Sequence, residues 1–421
     1  MFEERRFKKF DFPLLWAAVA LWTVGIVLIF SATHTVESGP LAGLYKQQIV
    51  WILLALLIIA AILSIPGRFF FGFGYVFYGL ALLLLLLAEF VGASAKGAER
   101  WIVIAGFKLQ PSEFAKIGVL LALARYLSEH TLSLERITSF IVPAALIGVP
   151  FMLVLKQPDL GTAMVFGAMA IPMFYWGGLA LIEVFYLVSP GISLVLSAIP
   201  LIMSFASGRD WGVAGAVPWG IFFLVLIAIL YFMRPHLFLM IGVVVANLFT
   251  ATIVTMVWRV LKDYQKMRII SFIDPQQDAF GAGYQVIQSK VAIGSGWIFG
   301  KGFLQGTQTN LSFLPEQHTD FIFSVLGEQF GLFGCIVIIG LFFFLVARGI
   351  LLTQTVRNRF YNLVIVGGVS IIAVHIFINT AMTLGMMPVV GIPLPFLSYG
   401  GSFTFTLAIL LGLILNAKKS D

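Results

Sequence analysis

The sequence predicts an all-α, polytopic membrane protein, a helical bundle of about twelve spans with one large extracellular loop. Three observations carry this reading. The 421 residues are 60% hydrophobic and only 11% charged, with a mean hydropathy of +1.02. Apolar runs recur at close to the ~20-residue length that crosses a bilayer as a helix. Those runs are continuous rather than alternating, which excludes a closed β-barrel.

Taken in order, the predicted spans are 12–32, 47–65, 69–91, 112–127, 137–156 and 160–176. They continue with 179–204, 213–233, 236–258, 320–346, 360–384 and 397–416. Basic residues flanking short loops set the orientation. With the N-terminus inside, Arg5, Arg6, Lys8, Lys9, Arg68, Arg125, Arg136, Arg234, Arg348, Arg357, Arg359, Lys418 and Lys419 fall on the cytoplasmic side. An even number of spans returns the C-terminus there, and places both the 259–319 loop and the Lys96–Gln110 segment outside. MFEERRFKKF lacks a short apolar core with a small-residue cleavage site, so it reads as a retained anchor. Pro190, Pro200, Pro218 and Pro235 punctuate the region 179–258, and Ala206–Ala216 reads as a surface turn or a dip. The chain reads as one integral membrane domain, 1–421, with no internal repeat.

The formal net charge is +7, but no basic face with interleaved aromatics appears, so nucleic acid is not an expected partner. The single cysteine, Cys335, permits no intrachain disulfide, and with five histidines there is no zinc-type cluster.

Chemistry concentrates in 262–321, the longest polar, glycine-rich passage, which holds Asp263, Asp274, Asp278, Glu316 and Asp320. Asp278 stands just before Gly281-Ala282-Gly283 and an amphipathic stretch, Tyr284–Ile293. Lys301 lies between Gly300 and Gly302, and FLPEQHTDF gathers Glu316, His318 and Asp320 at the next span. Such a set offers a general base, cations against phosphate and carboxylates for a divalent ion. The plainer alternative is a solvated loop with Thr319 or Asp320 capping the next helix.

Within the spans, Glu113 and Lys116 sit three residues apart on one helical face, close enough to pair. Either they form an ion pair that makes burial tolerable, or they bind substrate or couple to the loop. Asp159 reads as an N-cap or as part of a polar cavity beside Lys156. His375 and Asn379, at i and i+4, suit interhelical hydrogen bonds. Lys96, Arg100 and Lys108 beside Trp101 suit an interfacial anchor or a bound diphosphate headgroup. Ser398 and Tyr399 follow Pro393 and Pro395, and suit turn packing or contact with a substrate cavity.

Several blocks together resemble the RodA/FtsW family, the SEDS peptidoglycan polymerases. They are RWIVIAGFKLQPSEFAK (100–116), QPDLGTA (157–163), DAFGAGYQVIQSKVAIGSGWIFGKGFLQGTQTNLSFLPEQHTDFIF (278–323) and GMMPVVGIPLPFLSYGGS (385–402). QSKVAIGSG, GKGFLQGTQ and FLPEQHTDF look more like RodA, the elongation enzyme, than FtsW, the division enzyme. The family's usual ten spans imply an extra helical pair within 179–258 of this chain.

The resemblance implies a peptidoglycan glycosyltransferase that polymerises lipid II into β-1,4-linked glycan strands during cell elongation and shape maintenance. It implies a bacterial inner-membrane location, a catalytic role for the 259–319 loop, and partnership with a class B penicillin-binding protein and other elongation-complex membrane proteins. The family's essential loop aspartate falls on Asp278, as base or close assistant. Substrate-binding expectations fall on Arg100, Trp101, Glu113, Lys116, Asp159, Arg268, Lys290, Lys301, Glu316, His318 and Ser398, with Lys116 and Arg100 ranked first among the cations. A divalent ion, Mg2+ or Mn2+, is compatible with a diphosphate, with no ligands assigned. A lipid II flippase and a non-catalytic scaffold are the competing functions.

Overall fold

All twelve predicted spans are helices in the computed structural model, which describes residues 10–34, 43–91, 93–95, 98–104, 107–134, 138–261, 263–278, 281–311 and 313–421. In chain order the first helices are α1 (Phe12–Thr33), α2 (Leu44–Ser64), α3 (Gly67–Val91), α4 (Pro111–Glu129), α5 (Thr138–Lys156) and α6 (Leu160–Trp176). The next are α7 (Leu181–Ser207), α8 (Gly212–Met233), α9 (Leu237–Val260), α10 (Asp263–Ile273), α11 (Ala282–Ser295) and α12 (Thr307–Asn310). The last are α13 (Ile322–Thr353), α14 (Arg359–Thr383) and α15 (Gly401–Ser420). Ten of them are long and apolar enough to cross a membrane. The two other predicted spans are α6, at 17 residues, and α4, which carries Glu113, Lys116, Arg125 and Glu129.

Helix starts follow the capping chemistry of the sequence. Asp11 caps α1 by accepting from Leu14 N–H at 3.1 Å, with Pro13 in the first turn. Asp159 caps α6 through Thr162 N–H and the Thr162 hydroxyl. Pro190 and Pro200 do not break α7, which runs unbroken to a left-handed Gly208. Membrane helices tolerate proline where neighbouring groups satisfy the freed backbone. The surface turn expected in 206–216 is this Gly208–Trp211 connection.

Two departures from the expectation are local. Residues 93–109 hold a three-stranded antiparallel sheet, β1 (Ala93–Ala95), β2 (Ala98–Ile104) and β3 (Phe107–Leu109). Its second pairing sets Ile102 against Leu109 and Ile104 against Phe107. The β-branched run Ile102-Val103-Ile104 favours this state. The long polar passage is also mostly regular, with α10, a 3-10 turn (Pro275–Asp278), α11 and α12.

The chain divides into two compact units. The larger comprises 1–131, 142–177 and 288–421. Its centre is built on α4, α14 and α15, which are the most enclosed helices of the unit. At the end carrying the C-terminus, Asp11 is wholly buried. It accepts from Arg348 Nη2 and from Lys418 Nζ, each at 2.8 Å. Burial alone would raise its carboxyl pKa, but the hydrogen bonds from Arg348 and Lys418 hold it below the ordinary value. The smaller unit comprises 132–141 and 178–287. There Tyr186, Leu226, Leu230 and Val243 form an apolar core, and a polar knot joins α7, α8 and α9. Asn247 Nδ2 donates to Ser189 Oγ at 2.9 Å, and Trp219 Nε1 donates to Ser193 Oγ at 2.7 Å.

Candidate active site

The glycine-rich stretch after α11 is threaded into a break in a membrane helix. α13 loses helical geometry at Gly331, where φ is 63° and ψ is −162°. Such a break leaves backbone groups that must find partners within the protein. Here 296–302 supplies them. Lys301 and Gly302 N–H donate to Glu328 O at 3.0 Å and Gln329 O at 3.1 Å, while Leu332 and Phe333 N–H donate to Trp297 O at 2.8 Å and Ile298 O at 2.9 Å. The approach requires glycine on both sides. A Cβ at Gly296 would collide with Gly327 O, one at Gly300 with Gln329 O, and one at Gly331 with Gly300 N.

One turn before the break, Glu328 gathers the residues that follow. Its side chain is fully buried. Oε1 accepts from Lys301 Nζ at 2.9 Å and from Gln308 N–H at 2.8 Å. Oε2 accepts from Thr309 N–H at 3.0 Å and from the Thr309 hydroxyl at 2.8 Å. A carboxylate satisfied this way orders 301–309 as a cradle. Glu328 is absent from the sequence-derived site, although an ionisable residue inside an apolar span is itself a functional signal. Lys301, expected to face a diphosphate, is instead committed to Glu328 and to the Thr307 hydroxyl, at 2.7 Å.

Glu113 and Lys116 do pair, at 2.8 Å, and both are buried. A third member comes from α14: Lys116 Nζ lies 3.0 Å from His375 Nε2. His375 Nδ1 sits 2.8 Å from Ile371 O and must be the donor there, which leaves Nε2 as acceptor for the ammonium. The ring of Phe403 closes the site, 5.7 Å from Lys116 Nζ and stacked on His375. Glu113 Oε2 is buried without a hydrogen-bond partner. With Lys116 only 1% exposed, its charge is met internally by Glu113, so the first rank given to it as a diphosphate contact is not supported by this geometry.

Other expected residues take local roles. Besides capping α6, Asp159 accepts from Gln110 Nε2 at 3.4 Å, tying α6 to the residue before α4. Ser398 is buried; its hydroxyl donates to Thr319 O at 2.6 Å and accepts from Leu394 N–H at 2.8 Å, which makes it a turn staple. Tyr399 N–H donates to His318 O, and its hydroxyl donates to Gln47. Asp320 O accepts from Asn379 Nδ2, and Glu316 adopts a left-handed φ of 54° with its carbonyl accepting from the Thr319 hydroxyl. The N-cap of α13 is Phe321, without a side-chain cap, so capping by Thr319 or Asp320 does not account for them. Lys290 is exposed on α11 and Trp101 is half-buried on β2. The backbone of Asp278 closes the 3-10 turn, Arg100 lies on β2 and Arg268 on α10; the side chains of these three lie outside the described residues. Among the described residues, no group of three or more His, Cys, Asp or Glu is arranged to hold a metal ion.

The family model described as cell cycle protein, FtsW/RodA/SpoVE, matches the chain over residues 12–214 and 209–421. The chain belongs to this family. Within the FtsW/RodA/SpoVE family, similar relatives include the peptidoglycan glycosyltransferase MrdB of Escherichia coli K12. It is 33% identical over 407 residues, which cover 96% of this chain and 92% of that protein. Another is the peptidoglycan glycosyltransferase RodA of Treponema pallidum, 32% identical, with 97% of this chain and 98% of that protein covered. Among solved structures, Thermus thermophilus RodA aligns with a TM-score of 0.61 at 26% identity, over 97% of this chain and 96% of that one. A chain from a peptidoglycan synthase complex, described as coordinating polymerization and crosslinking, aligns with a TM-score of 0.68 at 27% identity over 97% of both chains. The two family matches meet between α7 and α8, inside the region expected to hold the extra helical pair.

Proposed function

We propose that this protein is a peptidoglycan glycosyltransferase that polymerises lipid II in the bacterial inner membrane, in the service of cell elongation and shape. The near-full-length likeness to relatives named for that activity carries the proposal. Both termini face the cytoplasm, and the 259–319 loop meets the lipid-linked sugar on the outer face.

The reaction forms one bond and breaks one. The 4-hydroxyl oxygen of the acceptor sugar attacks C1 of the donor, and the C1–oxygen bond to the lipid diphosphate breaks. The α-linked donor becomes a β-1,4 glycoside, so C1 inverts. The hydroxyl proton needs a base, and the departing diphosphate needs positive charge and hydrogen-bond donors. Asp278 takes the proton. Arg100, Arg268 and Lys290 are the cations left for the diphosphate, because Lys116 and Lys301 are spent on Glu113 and Glu328. Those two pairs act by positioning: Glu113–Lys116–His375 fixes α4 against α14, and Glu328 fixes 301–309 against α13. A class B penicillin-binding protein, which would cross-link the strands, is the proposed partner.

The test is incubation of the purified protein with lipid II, followed by electrophoresis of the products. Glycan polymer from the protein alone supports the proposal. Headgroup translocation in vesicles without polymer would make it a flippase, and neither activity without a partner synthase would make it a scaffold.

A further inference from the structure

The turn that enters the α13 break carries three large apolar side chains at its tip, and they point away from the protein. Trp297 is 81% exposed, Ile298 52% and Phe299 79%. In the passage that carries the chain's polar chemistry, such a cluster is out of place if water surrounds it. Trp297 also holds a left-handed φ of 50°, a conformation rare for a bulky aromatic residue. Strain of this kind persists where surrounding structure imposes it, and here the backbone pairing with α13 does so.

The depth of the tip follows from the same pairing. From Gly331 to Thr353, α13 makes about 22 helical steps and rises about 33 Å, enough to cross the ~30 Å hydrocarbon core. The break therefore sits at one boundary of that core. Leu332, Phe333 and Ile336, the first outward-facing residues below it, are 55%, 62% and 58% exposed, as befits a lipid-facing flank. The hydrogen bonds from Leu332 and Phe333 N–H to Trp297 O and Ile298 O hold the tip directly above that flank. An aromatic cluster with an indole N–H, at that level and continuous with a lipid-facing stripe, matches the chemistry of the membrane interface.

We infer that Trp297, Ile298 and Phe299 form an interfacial anchor that inserts into the lipid leaflet at the end of α13 opposite Thr353. The occupant of this surface is the bilayer itself. The anchor fixes the depth of the 296–302 turn, and through Lys301 and Glu328 that of the cradle, at the level of a lipid headgroup. The inference rests on the spanning helices and not on the proposed reaction, so it stands or falls separately.

Cys335 is the only cysteine, which makes site-specific labelling direct. F299C in a C335A background carries a nitroxide in nanodiscs of phosphatidylethanolamine and phosphatidylglycerol, with F343C, on the lipid-facing flank of α13, as reference. The expected result is collision with oxygen several-fold above collision with a water-soluble nickel chelate at both sites. Dominant nickel collisions at 299 would put the tip in water and overturn the inference. Low accessibility to both would place it beneath another protein surface, and would overturn it equally. A second measurement leaves Cys335 and Phe299 untouched: the emission lost in W297F is compared in lipids brominated near the headgroup and at the chain ends. Strong quenching by the headgroup-proximal bromines supports insertion at the interface. Absence of quenching by either lipid refutes it.

Discussion

Replacing Glu328 by Gln changes a carboxylate into an amide of the same shape and so isolates the charge. The carboxylate is fully buried and accepts from two backbone N–H groups, the Thr309 hydroxyl and Lys301. An amide has one acceptor oxygen. Whichever way it is turned, its NH2 faces the donors on Oε1 or those on Oε2. At least one buried backbone N–H then loses its acceptor, at ~1–3 kcal/mol, and Lys301 loses its counter-charge. Lys301 is 26% exposed and partly rehydrates, so the ion pair adds little more than ~1 kcal/mol. The sum is about 3 kcal/mol, local to 301–309, which corresponds to roughly 100-fold easier opening at ~1.4 kcal/mol per decade. Hydrogen exchange by mass spectrometry in nanodiscs reads this directly at Gln308 and Thr309. The expectation is exchange about 100-fold faster there, with α14 and α15 unchanged. Exchange within about threefold of wild type at those amides, in a folded variant, would refute the cradle argument.

Three further outcomes follow from the same geometry. Gly300→Ala puts a Cβ onto Gln329 O at a φ of +80°, so the turn cannot enter the break; a loss of several kcal/mol, seen as a lowered melting temperature in detergent, is expected. Lys116→Met strands Glu113 as an unpaired buried charge, at about 3–5 kcal/mol, and adding Glu113→Gln should restore most of that stability; a double variant no better than the single would contradict the pairing. Asp11→Asn should cost about 2 kcal/mol near neutral pH, after discounting for the partial exposure of Arg348 and Lys418. Because the folded Asp11 pKa is lowered, its contribution is full above the ordinary carboxylate value and lost as pH falls through the lowered one. The gap between wild type and Asp11→Asn, followed by thermal melting across pH, should therefore close below about pH 4.

The spans were legible because each must satisfy the bilayer by itself, from its own composition, whatever its neighbours do. For the same reason the i, i+3 spacing of Glu113 and Lys116 was enough to foresee their pair. Contacts set by tertiary approach were not legible. Nothing local to Glu328 announces that Gln308 and Thr309 will present their N–H groups to it. Nor does the HIFIN stretch around His375 reveal that its ring will accept from Lys116. Ser398 looks like a site hydroxyl in GIPLPFLSYGGS, yet both its hydrogen bonds go to backbone. Nothing in GSGWIFGKG itself shows that its glycines are there to approach the α13 backbone. Pro190 and Pro200 lie inside the predicted 179–204 span, and α7 carries both without a break, as that span requires. Asp278 stands apart from these, because its ranking above the other loop carboxylates comes from the family resemblance alone.

The measurement that bears most directly on the account is therefore lipid II polymerisation by purified Asp278→Asn beside wild type, with membrane insertion and melting temperature checked in parallel. The account predicts glycan strands from wild type and none from an equally well-folded Asp278→Asn. Strands formed by the variant at the wild-type rate would contradict it.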